Sequence, residues 1–433
     1  MLHPKPTQGD TSWFVQDRFG MFIHWGIYAL AARHEWVKTY EFIPDEEYQK
    51  YFSHFDPDLF DPKEWARQAR LAGMKYFVIT AKHHDGFCLW DSQFTDYKAT
   101  NTPAKRDLLR EVADAFRAEG LHVGFYYSLL DWHHPHYVID TNHPLRKHPD
   151  VDAMNAQRDM TIYAQYMRDQ VRELLTGYGK IDIIWFDFSF PHAKSGTLRG
   201  KGREDWESEK LMTMVRELQP NIIVDNRLDL PKEMADVVTP EQFQPTSWMH
   251  VDGEPMVWET CQTFSGSWGY FRDEMSWKSP QQLVQMLINS VSCGGNLLMN
   301  AGPTARGYFD PRASAALESY ADWMKLHQRS IYNCSQSEFQ APADVRFTQN
   351  YETKRLYAHI FNWPFKHLHL PELAGKIEYA QLLSDASEIK ITTNDKSAVH
   401  TSMSVETPEG GVTLHLPVIK PDVIVPVVEL FLK

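Results

Sequence analysis

Between residues 20 and 330, eight short apolar runs alternate with amphipathic stretches, and this alternation constrains the fold more than any other feature of the chain. The runs are Gly20 to Gly26, Lys75 to Ala81, Leu121 to Tyr127, Ile181 to Asp187, Asn221 to Arg227, Ala235 to Glu241, Met256 to Cys261 and Asn296 to Ala301. Strands separated by helices must cross over rather than fold back as hairpins, so the pattern predicts a parallel sheet. Several helices carry their own start signals. Asp61-Pro62-Lys63-Glu64 and Ser279-Pro280-Gln281-Gln282 each offer an N-cap, a proline at the first helical position and Glu or Gln at the third, which together satisfy unpaired amides. Leu108, Leu109, Val112, Ala113 and Phe116 recur at helical spacing, as do Ile162, Tyr163, Tyr166, Met167 and Val171, so each segment has a face for a sheet.

Eight helix-covered strands predict an α/β fold, a (β/α)8-like (TIM) barrel, over residues 1–335. The spacing is uneven: Ile27 to Met74 separates the first two strands, and no convincing helix joins the sixth to the seventh. The pattern therefore also admits a distorted barrel or an open sheet. From residue 336 it changes to β segments alone, including Arg355 to Asn362, Lys376 to Leu383, Val412 to Pro417 and Asp422 to Leu432, divided by Gly, Pro, Asn and Asp turn signals. A C-terminal antiparallel β-sandwich over 336–433 is expected, and 433 residues accommodate both units.

Composition narrows the chemistry. A net charge of −13 argues against binding to nucleic acid, which calls for a basic patch. The start, MLHPKPTQGDTSWF, has no apolar run of signal-peptide length, and no later stretch reads as a membrane span. Cys88, Cys261, Cys293 and Cys334 are scattered without a CxxC pair, so they read as free thiols in a reducing compartment, and a cytoplasmic location is expected. The 14 Trp, 19 Tyr and 24 Phe exceed the ordinary need of a core; flat rings of this kind also stack on sugars.

In such a barrel the chemistry gathers at the C-terminal ends of the strands. There the sequence places His24 and Trp25; Lys82 to Asp85; Tyr126 and Tyr127; Trp185 and Asp187; Asn226 and Arg227; Glu241; Glu259; and Asn300. Asp187, in IDIIWFDFS, lies between large aromatic residues, where a carboxylate loses water and must find partners. Asp187 and Glu241 end strands two apart around the ring, close enough to act as the carboxylate pair of glycoside hydrolysis. His83-His84 lack the further ligands of a hydrolytic metal centre at recognisable spacing, and His134-Pro135-His136 falls in a proline-containing loop. Hydrogen bonding to sugar hydroxyls suits His24, His83 and His84 better, with buried core histidines as the alternative. Trp36, Trp185 and Trp268 serve either as stacking faces or as core. Neither a metal nor a cofactor is called for.

At these residues the chain resembles the α-L-fucosidases, family 29 of the glycoside hydrolases. The matching stretches are RFGMFIHWG (18–26), HEW (34–36), YFVITAKHHDGFCLWDS (76–92), GFYYSLLDW (124–132), IIWFDF (183–188), DNR (225–227), TPEQ (239–242), WETC (258–261), SWGY (267–270) and GGNLLMNAGPTARG (294–307). The resemblance implies a retaining, exo-acting enzyme that removes terminal α-L-fucose from fucosylated glycans through a covalent glycosyl-enzyme. It makes Asp187 the nucleophile and Glu241 the acid/base, with His24, Glu35, Trp36, His83, His84, Tyr127, Trp185, Arg227, Glu259 and Trp268 around the substrate. Tyr126 can replace Tyr127, since the doublet leaves the register open. Glu259, also read as a strand end, competes for the acid/base role. The chain continues FDFSFP after the nucleophile where many members have glycine or a different aromatic, so the pocket lip is expected to differ. A metal-dependent amidohydrolase and a non-catalytic sugar-binding protein are the competing classes.

Overall fold

The computed structural model describes residues 6–393 and 409–433. Its centre is a curled, wholly parallel sheet of seven strands: β1 (Phe19–Ile23), β2 (Tyr76–Lys82), β3 (His122–Ser128), β4 (Ile183–Asp187), β5 (Ile223–Val224), β6 (Glu259–Thr263) and β7 (Asn296–Ala301). They lie in the order β6-β7-β1-β2-β3-β4-β5. The predicted strand from Ala235 to Glu241 is instead an irregular segment that closes the ring by isolated bridges. Val237 meets Asp225 on one side, while Val238 and Glu241 meet Trp258 and Cys261 on the other. Two local causes keep it from forming a ladder. Pro240 has no amide to donate, and the Asp236 carboxylate itself takes the Val224 amide at 2.8 Å. The result is a distorted (β/α)8-like barrel.

A second departure concerns β6, which was expected over Met256 to Cys261 but begins at Glu259. Glu259 therefore opens a strand instead of ending one, and lies at the foot of the barrel.

Side-chain alternation divides the core in two. Phe22, Tyr76, Val78, Ile183, Trp185 and Leu298 fill the interior, whereas Met21, Ile23, Phe77, Ile79 and Met299 point outward to the helices. The helix Pro62–Leu71 is capped by Asp61, which accepts from the Lys63 and Glu64 amides. Pro280–Ser292 starts in a full capping box between Ser279 and Gln282. Leu108–Ala118 buries every apolar residue singled out above. In Met160–Gly177 the sheet-facing row is Tyr163, Met167 and Val171; Ile162 is 47% exposed and lies off that face. The long first connection holds three short helices besides Pro62–Leu71, and between the closing segment and β6 stands a small hairpin, His250–Val251 with Glu254–Pro255, rather than a helix.

The C-terminal part contains a five-stranded and a three-stranded antiparallel sheet. Both sheets contribute to one apolar layer, with Leu356, Leu382 and Leu430 from the first and Leu370, Val412 and Leu414 from the second. The other face of the larger sheet rests on the barrel: Trp323 donates from its indole to Val425 O at 3.0 Å, and Arg329 pairs with Glu429 at 3.0 Å. Among the described residues no helix is long and apolar enough to cross a membrane.

Candidate active site

Asp187 closes β4 with its side chain toward the interior, and the next residue, Phe188, turns the chain away with φ of 88°. Asp187 is 8% exposed, so each carboxylate oxygen needs a donor. Tyr126, directed inward from β3, gives its hydroxyl to Oδ2 at 2.7 Å. Arg227, just beyond β5, gives Nη1 to Oδ1 at 2.8 Å. The same nitrogen donates to Glu241 Oε2 at 2.9 Å, so the two carboxylates lie within about 6 Å of each other. Thr239 fixes the rest of the guanidinium, accepting from Nε with its hydroxyl and from Nη2 with its carbonyl. The closing segment thus sets both Glu241 and the arginine that joins it to Asp187.

Burial raises the Asp187 carboxyl above the usual aspartate range; Arg227 works against that shift and Glu241 adds to it. Burial disfavours the Arg227 charge as well, but Asp187, Cys261 and Glu241 outweigh it and hold the guanidinium above its ordinary value. The ion pair thus offsets the cost that burial sets on each of the two charges.

Three histidines line the same pocket, together with Trp36, Trp268 and Phe188. Burial lowers His24 to about 3 and takes His83 and His84 well below the usual histidine range, so all three are neutral at ordinary pH. Their hydrogen bonds fix the tautomers of two. Asn300 uses its amide group on Trp268 O at 2.6 Å, which leaves Oδ1 to accept from His24 Nδ1 at 2.7 Å. Ser128 donates to Leu130 O, so its oxygen accepts from His84 Nδ1 at 2.7 Å. His24 and His84 therefore present Nε2 as an acceptor, the role a substrate hydroxyl requires. His83 Nδ1 is buried without a hydrogen-bond partner among the described residues.

Sequence reasoning placed most of this set. The doublet resolves to Tyr126, since Tyr127 points the other way and gives its hydroxyl to Gln170 at 2.8 Å behind the sheet. Glu35 stands behind the pocket wall: Oε2 accepts from the Gly269 amide at 2.8 Å, and Oε1 has no hydrogen-bond partner among the described residues. Glu259 does not line the pocket. It is 1% exposed at the barrel foot, holding the Tyr76 hydroxyl at 2.7 Å and the Trp185 indole N–H at 3.2 Å. Cys261 and Phe22, which were not expected, do line it; their inward parity on β6 and β1 was the available signal. His134 and His136 lie apart from the site, and no group of three or more His, Cys, Asp or Glu among the described residues is arranged to hold a metal ion. A larger cavity of about 820 Å³, lined in part by Asp10, Arg18, Gly294 and Glu338, lies at the opposite, N-terminal end of the strands and away from the carboxylate pair.

Comparison with known proteins gives a consistent answer. A family model described as "Alpha-L-fucosidase" matches residues 5–329. The plasma alpha-L-fucosidase of Rattus norvegicus is 28% identical over 411 residues, covering 88% of this chain and 82% of its own. Among solved structures, alpha-L-fucosidase isoenzyme 1 from Paenibacillus thiaminolyticus superposes with a TM-score of 0.89 at 44% identity, covering 98% of each chain. A Bacteroides thetaiotaomicron alpha-L-fucosidase, trapped as a covalent intermediate with 2-fluoro-fucosyl fluoride, aligns with a TM-score of 0.82 at 28% identity, covering 100% of this chain and 98% of that one.

Proposed function

Because the chain belongs to the alpha-L-fucosidase family, we propose that its carboxylate pair carries out a retaining hydrolysis, with Asp187 as nucleophile and Glu241 as acid/base. The activity is that of an exo-acting glycoside hydrolase releasing terminal α-L-fucose from fucosylated glycans. One observation supports the role assignment above the rest: a single nitrogen of Arg227 joins the two carboxylates at a separation suited to displacement through a covalent intermediate. Asp187 attacks the anomeric carbon as the glycosidic C–O bond breaks, and the Glu241 proton passes to the departing oxygen. In the second half Glu241 takes a proton from water, whose oxygen displaces Asp187 and restores the original configuration. Arg227 and Tyr126 keep Asp187 ionised and aimed. His24, His83 and His84 receive sugar hydroxyls, while Trp36, Trp268 and Phe188 enclose the apolar parts of the ring.

This reading has no need of nucleic acid or membrane. It assigns the enzyme to the reducing cytoplasm, an assignment supported by four cysteines that are all free and buried.

The test is proton NMR of an aryl α-L-fucoside during hydrolysis. α-Fucose is expected first, before mutarotation; initial β-fucose overturns the retaining mechanism, and no release overturns the assignment for that substrate class. Asp187→Ala is expected to lose at least ~10³-fold in kcat. Glu241→Ala is expected to suffer most with poor leaving groups and to recover in azide.

A further inference from the structure

Glu259 is buried in the lowest layer of the barrel, out of reach of the pocket, yet its carboxylate is fully engaged. Tyr76 donates to Oε2 at 2.7 Å and the Trp185 indole N–H donates to Oε1 at 3.2 Å. The Tyr76 ring fits beside β1 only because residue 20 is glycine: a Cβ there would come within 2.3 Å of Tyr76 Cε2. Trp185 carries the connection upward. The Arg227 guanidinium carbon sits 4.5 Å from the centre of its ring, and the Tyr126 ring stacks on it at 5.7 Å with planes 20° apart. Arg227 and Tyr126 are the two donors that hold Asp187. Both lean on one indole, whose single polar atom is fixed from below by Glu259.

We propose that Glu259 is a positioning residue, which sets the rotation of Trp185 and through it the donors that aim Asp187. The proposal rests on the fucosidase reading and extends it to a residue without substrate contact. A carboxylate that otherwise competes for the acid/base role serves instead as the buried acceptor of an indole N–H. An N–H held at depth fixes a large ring better than packing alone, since any rotation that leaves the buried donor unpaired carries its full desolvation cost.

The experiment compares Glu259→Leu, Glu259→Gln and Trp185→Phe. Glu259→Gln keeps an acceptor oxygen for the indole and is expected to lose no more than ~5-fold in kcat, whereas Glu259→Leu removes it and is expected to lose ~100-fold with little change in KM. The Leu variant should fall equally for good and poor leaving groups and should not recover in azide. Adding Glu259→Leu to Trp185→Phe should cost almost nothing more, since the bond is already gone. A Leu variant with near-wild-type kcat overturns the proposal, and azide rescue overturns it in favour of an acid/base role. Nitrogen-15 labelled tryptophan gives a readout independent of turnover. The Trp185 indole resonance, identified by its loss in Trp185→Phe, is expected to move upfield in Glu259→Leu but to stay near its place in Glu259→Gln. An unmoved resonance in Glu259→Leu defeats the positioning role while leaving the fucosidase assignment standing; a wild-type enzyme inactive on fucosides defeats only the latter.

Discussion

Arg227 Nη1 stands 2.8 Å from Asp187 Oδ1, and this contact opposes the burial that raises the carboxyl. The attacking group must be ionised, so activity is present above the Asp187 pKa and is lost as pH falls through it. Removing Arg227 takes away the main force against burial and leaves only the Tyr126 hydrogen bond to oppose it. Arg227→Gln is therefore expected to move the acidic limb of kcat/KM upward by at least ~1 pH unit, besides lowering its plateau. A pH–rate profile on an activated aryl fucoside measures the shift. A limb that stays in place would show that some other group maintains the charge.

The neighbouring tyrosines make a matched pair of variants. Tyr126 donates to Asp187 at 2.7 Å, while Tyr127 donates to Gln170 on the far side of the sheet. Tyr126→Phe is expected to reduce kcat ~10-fold or more, because it removes a hydrogen bond to a charged group, worth ~1.5–3 kcal/mol. Tyr127→Phe is expected to leave kcat nearly unchanged and to lower stability by ~1 kcal/mol. Steady-state kinetics and thermal denaturation separate the two effects, and reversed outcomes would reverse the register.

That doublet marks the boundary of what the sequence makes legible. Apolar periodicity located β1 to β4 and β7, and with them His24, His83, His84, Trp185 and Asp187, because a strand buried on both faces announces itself by its length and apolarity. Which face a residue takes requires the register to within one position, and two adjacent tyrosines satisfy either choice equally. Near Glu241 and Glu259 the signal failed for a different reason. Between Ala235 and Glu241 the barrel is closed by single bridges and side-chain hydrogen bonds, as at Asp236, which have no period to read. A strand start three residues later than expected then turned Glu259 from a rim residue into one at the foot of the barrel.

Depth gives Glu259 a measurable effect on stability. Burial pushes its carboxyl up to about 7, with Tyr76 and Trp185 opposing the shift. A carboxyl whose folded pKa lies above its unfolded value binds its proton more readily in the folded state. Its contribution is fully present below the unfolded pKa and is lost as pH rises through about 7. Relative to Glu259→Gln, which does not titrate, the wild-type protein is therefore expected to gain stability between pH 8 and pH 4.5, by up to ~3 kcal/mol. Urea denaturation of both proteins across that range measures the difference. A constant difference would place the Glu259 pKa at its ordinary value.

Phe188 occupies a backbone conformation that suits glycine. Its φ of 88° lies in the left-handed region, where a bulky side chain costs ~1–3 kcal/mol. What holds it there is its ring, which contacts Trp36 at 5.2 Å, His84 at 5.2 Å and Phe190 at 5.1 Å between centroids. Two substitutions divide the strain from the contacts. Phe188→Ala loses the ring and keeps the strained backbone, whereas Phe188→Gly loses the ring and relieves the strain. The glycine variant is thus expected to be the more stable by ~1 kcal/mol, the reverse of the usual order for this pair. Both should raise KM ~5–10-fold with a smaller effect on kcat, since the ring encloses bound sugar but carries no proton or charge in the reaction. Calorimetry with steady-state kinetics tests both statements, and an alanine variant more stable than the glycine one would show that the turn after Asp187 holds no strain.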